Sequence, residues 1–431
     1  MKILIEASRL MFAGNDGTKR YIVEFLRSLS EIVSTSHKDL EIDLFFNYRE
    51  IKGISDFKDL NSDNDIYTPT QYKKFSFEIR HLIEVVKYNV ILFLRTYLPE
   101  SAISILKAIK RSLSQGDKLP DLNDYDLIHL TTPQSSHAFI NSDVPMVFTL
   151  YDITHILFPQ YHLKDNIAAT QYGIDISLSK KAPVIAISNA TKKDLISRYP
   201  SLNDRVSVIF PGCDHIKFKP IYDIDRITGV RNKYGINERR YLLSLCTLEP
   251  RKNLVNMINA FLMFKKENPD ADLLFVIAGK RGWKIKDLFR NTDFRSKDII
   301  FTGFIDENDL PVLYSEAFAF CYVSHYEGFG LPIVEAMSCR TPVIYGNNSS
   351  MPEVAGECGL AADPNNIVDI KDKYELIYKD HELREDLSKK ALERSNKFSW
   401  SDNVEETIDL YREIIRGTPR IAGSSQSINV P

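Results

Sequence analysis

The sequence predicts an α/β protein built from two Rossmann-like domains that face each other. Three observations support this prediction. Short apolar runs alternate with helix-length amphipathic segments in both halves of the chain, which is the pattern of βαβ units in a parallel sheet. Its 431 residues are enough for two or three domains. Glycine-containing loops connect predicted strands to predicted helices, as they do in nucleotide-binding folds.

The first half contains an early strand and helix followed by further apolar runs. Residues 3–5 form the first run, and a loop with Gly14 and Gly17 leads from it to a predicted helix over about residues 19–32. The later runs are residues 40–46, 127–130, 146–150, 184–187 and 206–210. We assign residues 1–218 to an N-terminal domain with a boundary near Phe218. We expect this domain to bind the acceptor, the substrate that the nucleotide-binding domain does not hold.

From residue 240 onward the alternation is clearer. The predicted strands are residues 241–245, 273–278, 299–301, 318–323 and 342–345, and the predicted helices are residues 254–266, 307–315 and 332–338. This pattern predicts a doubly wound nucleotide-binding domain over residues 219–400. In the remaining segment, 401–431, a helix over about residues 403–415 could cross back onto the first half, and the tail from Gly417 is expected to be loose.

Charge and cysteine content exclude several classes of protein. The 55 Lys and Arg residues against 58 Asp and Glu give a net charge of −3, whereas a general nucleic-acid binder would be more basic. The five cysteines lack C-x-x-C spacing and predict neither a zinc site nor disulfides, as in a reducing cytoplasm. Residues 1–6 are typical of a buried strand and not of a signal peptide. The longest apolar stretch, residues 88–94, is far shorter than the ~20 residues of a membrane span. We therefore expect a cytoplasmic protein.

An insertion over about residues 75–114 interrupts the first domain. It mixes Phe, Ile, Leu and Val with a series of Lys and Arg residues. One interpretation is a basic amphipathic helical hairpin that lies on an anionic membrane surface, at the inner face of the cell membrane. The other is a core helix pair with a solvated charged face.

The most informative segment, residues 324–337, follows a predicted strand. A strand, a glycine-containing turn and then Pro332 at the expected first helical position present a helix N-terminus to an anion. Gly328 and Gly330 leave room for backbone amides to approach a phosphate. Glu335 is expected on the first helical turn, while Glu327 lies before the helix. Because a diphosphate repels a carboxylate, we expect Glu335 to bind neutral groups such as ribose hydroxyls.

A second charged segment, residues 247–253, also lies between a strand end and a helix start. Arg251 and Lys252 at this sheet edge would neutralise a diphosphate leaving group as its bond breaks. An isolated Arg-Lys pair is more often a solvated basic turn, but the neighbouring segment 324–337 favours the binding interpretation. No Asp-x-Asp cluster follows a predicted strand, so we expect no metal ion and no other cofactor.

Together these segments resemble the family 4 retaining glycosyltransferases. The resemblance rests on Glu327 and Glu335, separated by seven residues, and on residues 249–253, 278–283, 301–303 and 350–356. It is strongest to the bacterial mannosyltransferase-like branch that builds O-antigen and exopolysaccharide. The similarity is dense over residues 241–364, looser over 184–220 and thin before 146. It implies a GT-B-type fold whose second domain holds a nucleotide-sugar donor and whose first domain holds the acceptor.

The resemblance also implies roles for individual residues. Arg251 and Lys252 would bind the donor diphosphate, and Glu335 would bind the nucleotide ribose. Glu327 would face the transferred sugar. The residues whose backbone would approach the sugar or the phosphates are Gly328, Phe329, Gly330, Leu331 and, in the first domain, Gly17.

One segment departs from the family pattern. The family places His before Asp where this chain has Tyr151 and Asp152, so Tyr151 stands at the position of a substrate-contacting histidine. His155, His129 or His137 could supply the missing hydrogen bond. Tyr151, Asp152 and His155 are therefore the candidates for the acceptor side of the site.

The implied activity is retaining transfer of a sugar from a nucleoside-diphosphate sugar to a saccharide or lipid-linked saccharide in bacterial surface polysaccharide synthesis. GDP-mannose is favoured over a UDP- or dTDP-sugar. The donor phosphate would help to deprotonate the acceptor hydroxyl on the same face, and covalent catalysis by Glu327 stays open. One alternative is a nucleotide-sugar epimerase of the same architecture, although only Glu327 is an obvious acid or base. The other is a nucleotide-sugar-binding protein without turnover, which the presence of Glu327, Arg251, Lys252 and Glu335 disfavours.

Overall fold

Two β-sheets flanked by helices form the centres of two α/β domains. The computed structural model describes residues 1–11, 17–46, 49–51, 120–162, 164–280 and 294–417. Three parts of the sequence analysis lie outside the described residues: the insertion over about 75–114, Gly14, and the tail beyond residue 417. The side chain of His137 is also outside the description.

The N-terminal sheet has the strand order β3-β2-β1-β4-β5-β6-β7. Its strands are β1 (Lys2–Glu6), β2 (Glu41–Phe46), β3 (Arg49–Ile51), β4 (Leu127–Leu130), β5 (Met146–Leu150), β6 (Val184–Ala186) and β7 (Val206–Val208). Every neighbouring pair is parallel except β2 and β3, which are antiparallel. The sequence analysis missed β3, because this short edge strand has no apolar run.

Helices cover both faces of this sheet, which is why β4 and β5 are buried along their whole length. The helices of this part are α1 (Gly17–Thr35), α2 (Thr154–Leu157), α3 (Lys164–Ser179) and α4 (Asn189–Arg198). Helix α1 buries Ile22, Phe25, Leu26 and Leu29, whose spacing places them on one face. Helix α4 begins after Ser188, whose hydroxyl accepts a hydrogen bond from the Thr191 amide at 2.9 Å.

The C-terminal sheet is parallel throughout, with the order β10-β9-β8-β11-β12-β13. Its strands are β8 (Arg240–Leu245), β9 (Leu273–Ala278), β10 (Ile299–Gly303), β11 (Ala319–Tyr322), β12 (Val343–Gly346) and β13 (Gly359–Ala362). The strand order reverses between β8 and β11. Ligands of doubly wound folds bind at this switch point, beyond the carboxyl ends of the strands.

Eight helices lie in the described residues of the C-terminal half. They are α5 (Ile224–Lys233), α6 (Leu254–Glu267), α7 (Leu310–Ser315), α8 (Leu331–Ser338), α9 (Met351–Ala355), α10 (Ile367–Lys379), α11 (His381–Ser395) and α12 (Trp400–Arg416). Two predicted starts were wrong. Helix α7 does not begin at Glu307 but at Leu310, because Pro311 has no backbone N–H and is tolerated only in the first turn. Helix α8 begins at Leu331, so that Pro332 is its second residue.

Helix α12 leaves the C-terminal domain and packs against the N-terminal one. The Tyr411 hydroxyl lies 2.5 Å from Nδ1 of His129 on β4. Asn403 Nδ2 donates to the Phe210 carbonyl at 2.8 Å. A Cβ on Gly212 would lie 2.1 Å from the Trp400 nitrogen, so only glycine permits the close approach of these two segments. The last helix therefore ties the two domains together.

The sequence analysis expected neither a membrane-spanning segment nor disulfides. Among the helices in the described ranges, none has the length and apolar character that a membrane crossing requires. All five cysteines are buried as free thiols.

The buried contact between Tyr411 and His129 predicts a loss of stability in Tyr411→Phe. Burial lowers the pKa of His129 to about 3, so the ring is neutral, and its second nitrogen pairs with the Thr149 hydroxyl at 2.8 Å. Removing the Tyr411 hydroxyl leaves one buried ring nitrogen unpaired, at a cost of ~1–3 kcal/mol. Chemical denaturation should detect this decrease in the free energy of unfolding.

The control is Tyr172→Phe, because Tyr172 is 47% exposed on α3. It should change the free energy of unfolding by less than ~0.5 kcal/mol. Equal effects of the two substitutions would show that the buried hydroxyl contributes nothing specific.

Candidate active site

The carboxyl ends of the two sheets face each other across a cleft, and the backbones meet there. A Cβ on Gly328, in the loop after β11, would lie 2.0 Å from the carbonyl oxygen of Tyr151, in the loop after β5. The Thr191 hydroxyl of α4 donates to the carbonyls of Tyr151 at 3.2 Å and Gly328 at 3.3 Å. A side chain at position 328 would therefore collide with the backbone of the N-terminal domain. The sequence analysis gave a different reason for this glycine, the approach of a phosphate.

Arg251 and Lys252 converge on the carboxylate of Glu327. Lys252 Nζ donates to Glu327 Oε1 at 2.7 Å, and Arg251 Nη1 donates to Oε2 at 2.9 Å. Arg251 Nη2 also donates to Glu249 Oε1 at 2.8 Å. Glu327 is only 6% exposed. The structure thus brings the three predicted catalytic residues together in one buried cluster.

Charge pairing determines the protonation state of this cluster. Burial alone would raise the pKa of Glu327, but the neighbouring Arg251 and Lys252 lower it to about 2. Burial would lower the pKa of Arg251, but Glu327 and Glu249 raise it. Glu327 is therefore ionised at neutral pH, and it is too weak a base to take a proton from a sugar hydroxyl efficiently.

Buried polar side chains hold the loops that carry this cluster. Asn253, in the left-handed conformation with φ 58°, donates through Nδ2 to the carbonyls of Val323 at 2.9 Å and Pro364 at 2.7 Å. The Ser350 hydroxyl contacts the carbonyls of Glu327 at 2.9 Å and Phe329 at 2.8 Å. Because both loops are fastened by such contacts, the charged groups are positioned before any ligand arrives.

Glu335 occupies a different place from the one predicted. It is the fifth residue of α8 and lies in its second turn, because the helix begins at Leu331. The side chain is buried, and its two oxygens have different partners. Oε1 accepts from Nη1 of Arg20 at 2.5 Å, and Oε2 accepts from the Tyr314 hydroxyl at 2.9 Å. Since Arg20 belongs to α1, this ion pair joins the two domains.

The backbone candidates lie near the starts of α8 and α1. Gly330, which precedes α8, has φ 105°, a conformation that favours glycine. The Phe329 ring packs against Phe398, with ring centroids 5.5 Å apart, so this side chain belongs to the core. Leu331 is the first residue of α8. Gly17 is the first residue of α1, and a Cβ there would meet no atom of the described residues within 4 Å.

The acceptor-side candidates cluster around the start of α2. Asp152 Oδ1 accepts from the amide of Thr154 at 2.9 Å and from its hydroxyl at 2.6 Å. The Tyr151 ring packs edge-on against Tyr21, with centroids 5.3 Å apart. His155 is buried, and its Nε2 makes no hydrogen bond within the part of the chain that the structure describes. His129 lies in the core between Thr149 and Tyr411 instead, so it is not available to a substrate.

Across the described ranges, no group of three or more His, Cys, Asp or Glu side chains could hold a metal ion.

Comparison with known proteins connects this geometry to a family. Residues 57–216 match the family described as Glycosyltransferase Family 4, and residues 227–394 match Glycosyl transferases group 1. O-antigen chain mannosyltransferase B of Escherichia coli is 32% identical over 270 residues, which are 62% of this chain and 70% of that protein. The chain belongs to the family 4 glycosyltransferases.

A second relative of this glycosyltransferase is much longer. The serotype-specific mannosyltransferase WbdA of Escherichia coli is 28% identical over 288 residues, which are 65% of this chain. The match spans only 35% of the length of WbdA.

Solved structures confirm the predicted fold. The structure of HepE from Anabaena in complex with UDP and glucose superimposes with a TM-score of 0.64 and 16% sequence identity. The match covers 96% of this glycosyltransferase and 100% of HepE. Two facing Rossmann-like domains, the GT-B arrangement, are therefore the architecture of this chain.

The sequence analysis missed four residues of the cleft. Arg20 had one signal, its position three residues after Gly17. The hydroxyl of Tyr326 donates to Asp194 Oδ2 at 2.6 Å and so joins the domains, but no sequence feature linked these two residues.

His162 was missed as well, and it follows α2 in the N-terminal domain. Burial lowers the pKa of this histidine. The negative charge of Asp152 opposes this shift, and the positive charge of Arg251 adds to it. Nε2 of His162 is buried without a hydrogen bond among the described residues. Only the path of the chain after α2 brings this ring near the charged cluster.

His155 predicts a pH dependence of stability. Burial lowers its pKa to about 4, although Asp152 opposes the shift, whereas an unfolded histidine titrates near ~6.5. Between these pH values the unfolded state binds more protons, so the free energy of unfolding falls as the pH drops from about 6.5 toward 4. His155→Gln should make this decrease smaller, as measured by chemical denaturation at neutral and acidic pH.

His381→Gln is the matched control, because His381 is exposed at the start of α11. Its pH dependence should equal that of the wild-type protein. If His155→Gln also retains the full dependence, His155 does not titrate as a buried neutral ring.

Proposed function

We propose that this glycosyltransferase moves a sugar from a nucleoside-diphosphate sugar to an acceptor with retention of anomeric configuration. The observation that carries the proposal is the convergence of Arg251 and Lys252 on Glu327 beside the start of α8. The names of its relatives, O-antigen chain mannosyltransferase B and the mannosyltransferase WbdA, support GDP-mannose as the donor. They also support a saccharide or lipid-linked saccharide of a bacterial surface polysaccharide as the acceptor.

The donor diphosphate would bind at the carboxyl ends of β8 and β11. Arg251 and Lys252 would bind its oxygens, and the backbone amides at the start of α8 would face the same charge. Both cations already have fixed partners, so little reorganisation is needed when the leaving group develops its charge. Because Arg251 and Lys252 would neutralise the leaving group, we propose a reaction without a metal ion or other cofactor.

In the proposed reaction the bond between the anomeric carbon and the diphosphate oxygen breaks. The acceptor oxygen forms a new bond to that carbon on the same face, and its proton passes to an oxygen of the departing diphosphate. Glu327 would remain ionised beside the sugar and stabilise positive charge at the anomeric carbon. Its low pKa and its two cationic partners make it a weak nucleophile, which favours this mechanism over covalent catalysis.

The acceptor would enter from the N-terminal domain, beside Tyr151, Asp152 and His155. We further propose that the enzyme acts in the cytoplasm and contacts the inner face of the cell membrane through the insertion over about 75–114, which lies outside the described residues. The comparisons give no support to the epimerase alternative, since the matched families are glycosyltransferases.

A direct assay tests this proposal. The purified enzyme is incubated with GDP-mannose, UDP-glucose or a dTDP-sugar and with mannose-terminated acceptors, free and lipid-linked. We expect transfer from GDP-mannose, a product with the anomeric configuration of the donor by NMR, and unchanged activity in EDTA. An inverted product would contradict retention, and activity that EDTA abolishes and Mg²⁺ restores would contradict metal independence. Release of a free epimer, or binding without turnover, would support the alternatives.

Lys252→Ala should lower kcat by ~100-fold or more, because its charge meets a diphosphate that becomes more negative in the transition state. Steady-state kinetics with the preferred donor measure the effect. The control is Lys373→Ala, which removes a lysine that pairs with Asp369 on α10 and should leave kcat unchanged. A normal kcat with only a higher KM in Lys252→Ala would show that Lys252 binds ground state and transition state equally.

A further inference from the structure

The carboxylate assigned to the donor ribose is occupied by a cation from the other domain. Arg20 Nη1 donates to Glu335 Oε1 at 2.5 Å, and Arg20 Nη2 lies 3.7 Å from Glu307 Oε1. Glu335 is 3% exposed, and the Arg20 side chain is 23% exposed. A ribose hydroxyl would therefore compete with Arg20 for Oε1 of Glu335.

Breaking this ion pair is unfavourable unless both partners find replacements. A buried charge that loses its partner destabilises a protein strongly. A nucleoside would offer its ribose hydroxyls to Glu335 but would leave Arg20, among the described residues, with the more distant Glu307 as its remaining carboxylate partner. A nucleoside diphosphate offers hydroxyls to Glu335 and, from the same ribose, phosphate oxygens to a guanidinium. Only the second ligand compensates both charges.

The sequence around Arg20 agrees with an anion arriving at this point. The first turn of α1 contains Lys19 and Arg20 and no acidic residue. Cations at a helix N-terminus oppose the helix dipole, so the local sequence is unfavourable for the isolated helix. Such local conflicts occur where function requires them. Arg20 also follows Gly17, at which an added Cβ would meet no atom of the described residues within 4 Å.

We propose that Arg20 is a donor-binding residue that exchanges partners during the binding step. In the ligand-free protein it pairs with Glu335. When the ribose hydroxyls take over Glu335, the guanidinium binds the donor phosphates. This inference rests on the proposed function, since it requires a nucleoside-diphosphate donor. Because Arg20 and Glu335 belong to different domains, the exchange makes donor binding depend on contacts from both.

The exchange predicts how strongly the enzyme selects a diphosphate. The experiment first identifies which of GDP, UDP and dTDP the wild-type protein binds most tightly by calorimetry. The affinity for its parent nucleoside is then measured by competition. In Arg20→Gln the nucleoside should bind more tightly, because no ion pair has to break, and the diphosphate should bind more weakly. The ratio of the two affinities should fall by about tenfold or more, the value of a charge-assisted hydrogen bond.

Three further variants separate this role from a structural one. Arg20→Lys keeps the cation and should recover most of the ratio. Tyr314→Phe removes the other hydrogen-bond donor to Glu335 without changing any charge, so it should change the affinity for both ligands by the same factor and leave the ratio unchanged. The double variant Arg20→Gln with Glu335→Gln leaves no uncompensated charge of this pair, and it should lose selectivity even if the single variant folds poorly.

The outcomes distinguish this inference from the proposed function. If the wild-type protein prefers a diphosphate and Arg20→Gln keeps that preference, Arg20 is not a phosphate ligand and the inference is wrong while the proposed function stands. If Arg20→Gln binds both ligands more tightly by the same factor, Arg20 only blocks the ribose site and the inference is also wrong. If the wild-type protein binds no nucleoside diphosphate, the proposed function fails and the inference fails with it.

Discussion

Glu327 is the anion around which the proposed donor site is arranged. Its two carboxylate oxygens bind Lys252 at 2.7 Å and Arg251 at 2.9 Å, and the paired charges outweigh the cost of burying it. Two buried cations without such a partner would repel each other. The carboxylate thus allows positive charge to be held in a fixed place at the switch point of the sheet. Its ionised state also determines the chemistry, because so weak a base leaves the acceptor proton to the leaving group.

Paired polar and charged groups also connect the two domains. Glu353 of α9 accepts from the Ala190 amide at 2.9 Å and the Asn189 amide at 3.0 Å, at the N-terminus of α4. The ion pair of Arg20 with Glu335 lies elsewhere along the cleft. Polar interfaces between domains are typical of those that open and close. Helix α12, in contrast, is anchored by buried contacts such as that of Tyr411 with His129, and it connects the C-terminal domain to the N-terminal one.

Most of the fold was predictable because the strands are buried on both faces. Strands β4, β5 and β9 were predicted to the residue, since a strand covered by helices on both sides is buried along its length and consists mostly of apolar residues. The short edge strand β3 has no such requirement and was missed. The start of α7 was predicted three residues early, at Glu307, because the sequence analysis did not use Pro311, which is tolerated only in the first turn of a helix.

The sequence by itself determined that Arg251, Lys252 and Glu327 would meet, because each follows a parallel strand and such strand ends share one edge of a sheet. Only the tertiary structure decided what lies opposite them. Arg20 and Glu335 are separated by 315 positions and belong to different domains, so no local pattern could pair them. Which groups face each other across a cleft depends on how two independently folded sheets are oriented, and that orientation results from contacts distributed over the whole chain, including the return of α12.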